Sequence, residues 1–459
     1  MSVQETLIVE ENGNDIADRA VREWIEANIG PVQAFERQPR WRPGWNAKAL
    51  LNGEIKALYV RGSRGGYWPP MPLSFEAKVQ EYFHRSGVRV ARIYGFIDAA
   101  DAYVMEMVPG VSDLGKAEFA HLEPVRRQLV EQMARMHSID PGPLLEFGLP
   151  PVTSNLDLTT GYLQAIEKIY RATKKRPEPC IEFILGWLKR NVPTSACPPA
   201  IIAVDAGQFV YSGDRLNAMI DFELACIGDR YTDLGALRTR TRFEALGDLD
   251  NIYAYYAEAS GIPLDFERIR YHGIGLSMLC PQMVTGTLTE PSEGIDYQEY
   301  LTWWAFSLKD ALDQLAEIKG LDLEQAALPA PSEGRFAPMF SELDKSISQS
   351  ATLDDYAAHQ KTKQGIVTRT LAQLDRYQGG IEARYIDDIA ALTGRRPTSW
   401  QEADQSLEDF VLDCGDQHED ALIALFHRHI SSLALIMADR ADWPNKFNWL
   451  TKPMPPISG

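Results

Sequence analysis

The stretch that most constrains this chain is residues 201–233, which read IIAVDAGQFVYSGDRLNAMIDFELACIGDRYTD. It holds two short apolar runs, 201–204 and 218–220, and each run ends on a carboxylate, Asp205 or Asp221. A further short strand and a Ser-Gly-Asp turn signal lie between them. The pattern predicts a hairpin-like unit that places the two carboxylates at the mouth of one cleft.

Two carboxylates in one cleft can divide the work of phosphoryl transfer. One can orient a hydroxyl group and accept its proton, and the other can hold a magnesium ion against nucleotide phosphates. The resemblance described next assigns the first role to Asp205 and the second to Asp221. The alternative for Asp205 is a turn residue whose carboxylate caps its own backbone.

The same stretch resembles the aminoglycoside phosphotransferase and choline kinase family, which has a protein-kinase-like fold. The family pattern is H-G-D-x-x-x-x-N, then a strand, a turn, I-D-[FW]-E and finally G-D-P-x-x-D-L. The second half of this pattern is matched closely by IDFE at residues 220–223 and by GDRYTDL at residues 228–234. The one departure there is Arg230, which stands in place of Pro.

The first half of the pattern departs from the family in three ways. Ala203 stands where the family has His, and Gln208 stands where it has Asn. Gln208 also follows Asp205 by three positions instead of five, so the catalytic loop is two residues short. These departures weaken the prediction of activity and leave the prediction of the fold unchanged.

The resemblance covers about residues 30–330 and implies an α+β, two-lobed protein-kinase-like fold. A small β-rich N-lobe precedes a larger, mostly helical C-lobe, and a C-terminal helical extension follows. The predicted units, in chain order, are an N-terminal helical lead-in (1–30), a nucleotide-binding N-lobe (31–110), a catalytic and substrate-binding C-lobe (111–328), a linker (329–336) and the helical extension (337–459).

The predicted N-lobe contains an apolar strand at 55–61 that ends on Arg61. Protein kinases carry a phosphate-binding Lys at this place, and Arg offers a planar fork instead of a point charge. Helical spacing predicts a helix around residues 75–83. Glu76 on this helix is the best partner for Arg61, as in the kinase Lys–Glu ion pair, and Glu81 is the fallback. The alternative for Glu76 is an exposed position on the helix.

Residues 32–51 are expected to form the strand–turn–strand that covers the phosphates, although no G-x-G-x-x-G loop is present. Gly44 supplies a backbone that can approach a phosphate closely. Arg37, Arg40 and Arg42 either assist it or are solvated loop charges.

The strand predicted at 103–107 runs into a Pro-Gly turn signal at 109–110. The resemblance implies that this segment is the hinge between the lobes. Backbone groups near Glu106 and Val108 would then hydrogen-bond a purine base.

The resemblance also assigns supporting roles around the two carboxylates. Gln208 joins Asp221 as a magnesium ligand through its side-chain carbonyl group. Asp233 corresponds to the family residue that braces the catalytic loop, and its carboxylate is expected to accept backbone N–H bonds. Glu223 supports the site and is the nearest alternative base. His137, at the end of an amphipathic segment, is predicted to be a packed structural histidine.

Apolar spacing beyond the motif predicts a helical C-terminal half. Helices are expected at 249–259, 268–284 and 297–318, and in the family these helices form the substrate pocket. Apolar stripes at 407–414 and 422–433 predict further helices in the extension.

Composition narrows the possible partners and the location. The net charge of −18 argues against non-specific binding to nucleic acid or to an anionic membrane. The charge permits a cationic substrate, but a solvated acidic surface is the favoured explanation. The five cysteines are scattered without a C-x-x-C pair, which predicts reduced thiols in the cytoplasm and neither a zinc site nor a disulfide framework. No apolar run has the length of a membrane span.

These features predict a kinase that uses Mg²⁺ and ATP or GTP and moves the γ-phosphate to a hydroxyl group of a small molecule. The alternative is a catalytically impaired pseudokinase that acts as a nucleotide-binding or scaffold module. Ala203, Arg61, the short catalytic loop and the missing Gly-rich loop motivate this alternative. The retained Asp205, Asp221 and Glu223 favour the enzyme. The identity of the acceptor, the choice between ATP and GTP and the oligomeric state stay open.

Overall fold

The computed structural model describes residues 13–38, 42–64, 70–242, 244, 246–291, 295–325, 327–353, 355–437 and 457. The predicted lead-in and the C-terminal extension are therefore described only in part. Arg40, one of the three arginines considered for phosphate binding, lies outside the described residues.

The N-terminal part of the chain is built around one antiparallel sheet. Its elements are helices α1 (Gly13–Asn28) and α2 (Leu73–Arg85) and strands β1 (Val32–Arg37), β2 (Gly44–Leu51), β3 (Glu54–Gly62), β4 (Ile93–Ile97) and β5 (Ala102–Glu106). The five strands lie in the order β1-β2-β3-β5-β4. Helix α1 buries Val21 and Ile25 against the sheet, in one cluster with Trp45.

Helix α2 connects the sheet to the rest of the molecule. Leu73 and Ala77 pack against Tyr103 of β5. Phe75, Val79 and Phe83, by contrast, belong to the large hydrophobic core of the following helical lobe. A helix with apolar residues on two sides is fixed by both lobes, so its polar side chains have defined positions between them.

The larger lobe is mostly helical and carries two small strand pairs. Its helices are α3 (Phe119–His137), α4 (Gly142–Glu146), α5 (Asn155–Thr173), α6 (Pro179–Arg190), α7 (Tyr231–Arg240), α8 (Leu249–Ser260), α9 (Phe266–Ser277), α10 (Leu279–Thr289) and α11 (Tyr297–Lys319). Its strands are β6 (Pro199–Ile202), β7 (Phe209–Ser212), β8 (Arg215–Met219) and β9 (Cys226–Asp229). β7 and β8 form an antiparallel hairpin, and β6 pairs with β9.

The single helix predicted at 268–284 is wrong, because the chain forms two helices, α9 and α10, that meet at Met278. Pro281 lies in the first turn of α10 and has no N–H group to continue the hydrogen-bond ladder of α9. A proline is tolerated in a first turn, where N–H groups lack helical partners in any case. The apolar periodicity passes across the break, which is why spacing alone predicted one helix.

In its described residues, the C-terminal segment contains four helices, α12 (Ala337–Gln349), α13 (Asp355–Thr393), α14 (Trp400–Asp413) and α15 (Glu419–Ile436). The predicted stripes lie on α14 and α15, where Leu407 and Phe426 are buried in the same core as the helical lobe. The rings of Phe426 and Phe183 lie 5.6 Å apart, which ties α15 to α6. The domain boundaries given above remain predictions. In the part of the chain that the structure describes, no helix is long and apolar enough to cross a bilayer.

Candidate active site

The two carboxylates of the motif follow neighbouring strands. Asp205 comes after β6, in a short loop that leads to β7, and Asp221 comes two residues after the end of β8. The N–H of Ile220 donates to the carbonyl of Gln208 at 3.0 Å, so the end of the loop and the start of the Asp221 segment are neighbours across the hairpin. The backbone of Gln208 therefore lies next to the residue that precedes Asp221.

Asp233 braces the loop from the start of α7. Its two carboxylate oxygens accept the N–H of Ala203 at 3.0 Å and that of Val204 at 2.9 Å. Nε2 of His137 lies 3.0 Å from Asp233 Oδ2, and its Nδ1 lies 2.7 Å from the hydroxyl of Tyr256. Asp233 and His137 are fully buried, so these hydrogen bonds hold the loop to α3 and α7 without competition from water.

Two residues of the site have backbone conformations that side-chain-bearing residues rarely adopt. Val204 has a φ of 68° and Asp221 a φ of 70°. The Val204 conformation is the more costly because its side chain is β-branched. The family pattern has Gly at this position, which is a fourth departure beyond the three named from the sequence. Such strain persists only where surrounding contacts impose it, and here the Asp233 bond holds Val204 in place.

Both carboxylate oxygens of Asp205 have hydrogen-bond donors. Nη2 of Arg240 lies 2.6 Å from Oδ1, and Nε2 of Gln208 lies 3.0 Å from Oδ2. Burial raises the pKa of Asp205 above its usual range, while the charge of Arg240 opposes this shift. The predicted base is therefore held in a fixed orientation by one cation and one amide.

Arg61 lies between the two lobes and contacts carboxylates from both. Its Nε lies 3.1 Å from Glu76 Oε2, and its Nη2 contacts Asp221. The second oxygen of Glu76 accepts the N–H of Phe222 at 3.3 Å. Burial raises the pKa of Glu76 to about 7, although the charge of Arg61 opposes the shift. Glu81, the fallback partner, is exposed on α2.

Three arginines surround the carboxylate of Glu223. Arg42 contacts it, Nη2 of Arg61 lies 3.3 Å from Oε2, and Nη2 of Arg64 lies 2.6 Å from the same oxygen. Burial and the nearby charge of Asp221 raise the pKa of Glu223, and Arg64 and Arg61 oppose this shift. The negative charges of Glu223 and Asp221 are therefore offset by the positive charges of the neighbouring arginines.

Sequence reasoning missed two of the residues that the structure brings into the site. Arg64 lies just beyond β3, three positions after Arg61. Its closeness to Arg61 in the sequence could therefore have identified it as a site residue. Arg240 lies in the last turn of α7, and no motif marks it. Arg42 was considered only as an assisting or solvated loop charge, and it is buried.

The remaining predicted nucleotide contacts lie on the sheet. Gly44 begins β2 and is opposite Arg61 in the strand register. Glu106 ends β5, and Val108 follows it. The N–H of Glu106 donates to the carbonyl of Arg92 at 2.8 Å, so a purine bound here would have to use other backbone groups. The roles of Gly44, Glu106 and Val108 stay predictions.

The oxygen donors at the site fit a magnesium ion. Asp221 supplies a carboxylate and Gln208 an amide carbonyl, which are donors that Mg²⁺ accepts. The raised pKa values of Asp205 and Glu223 reflect carboxylates that burial and mutual repulsion destabilise in the charged form, and a cation would relieve this repulsion. Among the described residues, no three or more His, Cys, Asp or Glu side chains are placed to hold a metal ion. Nucleotide phosphates and water would therefore complete the coordination.

The small antiparallel sheet, the helical lobe and the braced loop between them define a protein-kinase-like fold. The model of the phosphotransferase enzyme family matches residues 44–272. Over these residues, about half of its length, the chain belongs to the phosphotransferase enzyme family. The match is narrower than the predicted resemblance over 30–330, and the extension lies outside it.

Solved structures of phosphotransferases resemble this chain in fold. A putative aminoglycoside phosphotransferase from Ralstonia eutropha JMP134 has 16% sequence identity and a TM-score of 0.47, covering 64% of this chain and 97% of its own. The apo form of a thermostable mutant of aminoglycoside phosphotransferase APH(4)-Ia has 12% identity and a TM-score of 0.48, covering 65% and 99%. Macrolide 2'-phosphotransferase MphH from Brachybacterium faecium has 16% identity and a TM-score of 0.42, covering 61% and 99%. A search of curated protein sequences gave no match.

Proposed function

We propose that this protein is a magnesium-dependent kinase that transfers the γ-phosphate of ATP or GTP to a hydroxyl group of a small molecule. The observation that carries the proposal is the meeting of Arg61 and Glu76 with Asp221 between the lobes. These residues come from β3, α2 and the segment after β8, which are the elements that supply the phosphate-binding and metal-binding groups of a kinase. Membership of the phosphotransferase enzyme family supports the same reaction class.

The proposed reaction depends on positioning and on neutralisation of charge. Arg61 would bind nucleotide phosphates, and Glu76 would orient Arg61. Asp221 and Gln208 would hold Mg²⁺, which supplies positive charge to the transferring phosphoryl group. Asp205 would orient the acceptor hydroxyl and accept its proton late in the transfer.

The remaining assignments complete the proposed site. Gly44 would allow close approach of the phosphates, and the backbone near Glu106 and Val108 would bind the purine base. Asp233 and Glu223 would support the loop and the arginines. The scattered cysteines and the acidic net charge support a cytoplasmic enzyme that acts on small molecules and not on nucleic acid.

One observation favours the second candidate, a nucleotide-binding or scaffold pseudokinase. Three arginines, Arg42, Arg61 and Arg64, surround the carboxylate of Glu223. In a working kinase, a metal ion and phosphates lie between such groups. A chain in which these ion pairs persist would bind nucleotide weakly or without turnover.

Nucleotide binding and turnover separate the two candidates. The melting temperature is measured with ATP or GTP, with and without Mg²⁺, because a ligand that binds only the folded state raises it. Released inorganic phosphate and phosphorylated product are then measured with a broad panel of alcohols. The panel includes hygromycin B, which is bound together with ADP in a solved ternary complex of a variant of APH(4)-Ia. Magnesium-dependent binding with product formation supports the kinase, and binding without any turnover supports the pseudokinase. Absence of nucleotide binding excludes the kinase and the nucleotide-binding pseudokinase.

A further inference from the structure

The shortened catalytic loop lies directly against the last turn of α7. Gly207 has a φ of 93°, which favours glycine. A Cβ atom on Gly207 would lie 2.9 Å from Cδ of Arg240 and 2.9 Å from Cδ2 of Leu237, closer than such atoms normally approach. The loop can pack this tightly on α7 only because its turn residue is a glycine.

Arg240 uses this proximity to bind the carboxylate of the loop. Its Nη2 donates to Asp205 Oδ1 at 2.6 Å, and its Nη1 donates to Glu244 Oε1 at 2.8 Å. Only 9% of the Arg240 side chain is exposed. The Asp205 side chain is 39% exposed, so it is the arginine whose charge would be poorly compensated if this partner were lost.

The second oxygen of Asp205 is held from within the loop. Nε2 of Gln208 donates to it at 3.0 Å, from the end of the loop that leads to β7. The carboxylate is thus held from two directions, by Gln208 and by Arg240. A planar guanidinium group suits this task because it binds carboxylates with a fixed geometry.

We propose that Arg240 is a positioning residue that fixes the Asp205 carboxylate in the orientation required by the acceptor hydroxyl. The inference rests on the proposed phosphotransfer and deepens it. Two residues of the family loop pattern are missing between Asp205 and Gln208, and Arg240 supplies from α7 a constraint on Asp205. In this proposal Arg240 acts through Asp205, and it is not one of the residues that bind the phosphates.

The test uses the full chain with Mg²⁺, ATP and water as the acceptor, and inorganic phosphate release is measured. Replacement Arg240→Met is expected to lower kcat about 100-fold, the usual scale for a misplaced catalytic group, with the KM for ATP unchanged. In the Asp205→Asn background the same replacement is expected to change kcat little, because its effect passes through Asp205.

A matched pair of variants separates positioning from folding. Arg240→Lys keeps the charge but loses the fork and is expected to lower kcat about tenfold. Arg242→Lys changes an arginine two positions further on, which pairs with Asp313 on α11 at 2.7 Å. This control is expected to lower the melting temperature and leave kcat nearly unchanged.

Chemical rescue covers the case in which Arg240→Met does not fold. Arg240→Ala is expected to regain phosphate release when guanidinium ion is added below denaturing concentrations, and not when sodium chloride is added at the same ionic strength. Independent losses in the double-mutant cycle, or a loss confined to the KM for ATP, would overturn the positioning role. A wild-type chain that releases no phosphate and phosphorylates no acceptor defeats the proposed function, and this inference with it. An active wild type with additive losses defeats the inference alone.

Discussion

Glu76 accepts the backbone N–H of Phe222 at 3.3 Å and thereby joins helix α2 of the N-lobe to the segment that carries Asp221. The other oxygen of the same carboxylate accepts Nε of Arg61 at 3.1 Å. One buried side chain therefore links a helix, a strand and the acidic segment of the helical lobe. The position of Asp221 relative to Arg61 depends on this link.

The first prediction concerns the pH dependence of stability through Glu76. Its pKa is raised from 4.5 to about 7, chiefly by burial. Between these values the folded chain binds more protons than the unfolded chain, so this group makes stability fall as pH rises through the window. Glu76→Gln removes the group, and relative to the wild type the variant should gain up to about 1.4 kcal/mol per pH unit across it.

The free energy of unfolding from urea denaturation, at the two ends of this pH window, measures the effect. Glu81→Gln is the matched control, because Glu81 is exposed on the same helix. If Glu76→Gln and the wild type show the same pH dependence, Glu76 does not carry a raised pKa.

The second prediction concerns the metal. Asp221→Ala should abolish the magnesium-dependent stabilisation by nucleotide while leaving the fold intact, because it removes the only charged group assigned as a metal ligand. Calorimetric titration of nucleotide with and without Mg²⁺ measures this. Asp214→Ala, in the exposed turn at the other end of the β7–β8 hairpin, is the control and should behave like the wild type. Unchanged magnesium dependence in Asp221→Ala would exclude the assignment.

The third prediction tests Asp205 as the base. Asp205→Asn keeps the size of the side chain but removes its charge and basicity. Nucleotide affinity should survive, and phosphoryl transfer should fall by about two to four orders of magnitude, the usual scale for a positioned general base. If Asp205 only caps a turn, Asn caps nearly as well and little should change. Full transfer activity in the Asn variant would point to Glu223 as the nearest alternative carboxylate.

The fourth prediction concerns the extension as a whole. Deletion of residues 337–459 should cause aggregation or a marked loss of stability, because it exposes the apolar surfaces on which α14 and α15 pack. It also removes Glu408, which pairs with Lys174 at 2.7 Å, and Glu419, which pairs with Lys319 at 2.9 Å. Size-exclusion chromatography and the melting temperature measure the outcome. A soluble truncated chain with the wild-type melting temperature would contradict the prediction.

The fifth prediction narrows the previous one to a single side chain. Phe426 is 1% exposed and packs on Phe183, so Phe426→Ala should lower the free energy of unfolding by about 3–5 kcal/mol through lost burial and a cavity. Leu412→Ala is the control within the same extension, because Leu412 is 62% exposed and should change stability by less than about 0.5 kcal/mol. Equal effects from the two variants would mean that α15 does not pack on α6 in solution.

Much of the local structure follows from spacing in the sequence. The strand that ends near Arg61 and the helix that carries Glu76 lie where alternation and helical periodicity predicted them. Periodicity failed at Met278, because an apolar stripe continues through a helix break and only the missing N–H of Pro281 interrupts the ladder. The extension was predicted to be helical as a whole, but periodicity did not single out the 39-residue helix α13, whose Ile381, Tyr385 and Ile389 are buried.

The sequence by itself determined the family, the two-lobed fold and the identity of the motif carboxylates, because IDFE and GDRYTDL are short patterns that local spacing preserves. The tertiary structure alone decided which cations meet those carboxylates. Arg64 reaches Glu223 across 159 positions, and Arg240 reaches Asp205 across 35. A contact between distant residues depends on how strands and helices pack, and a charged side chain carries no local mark of the partner that packing will bring to it.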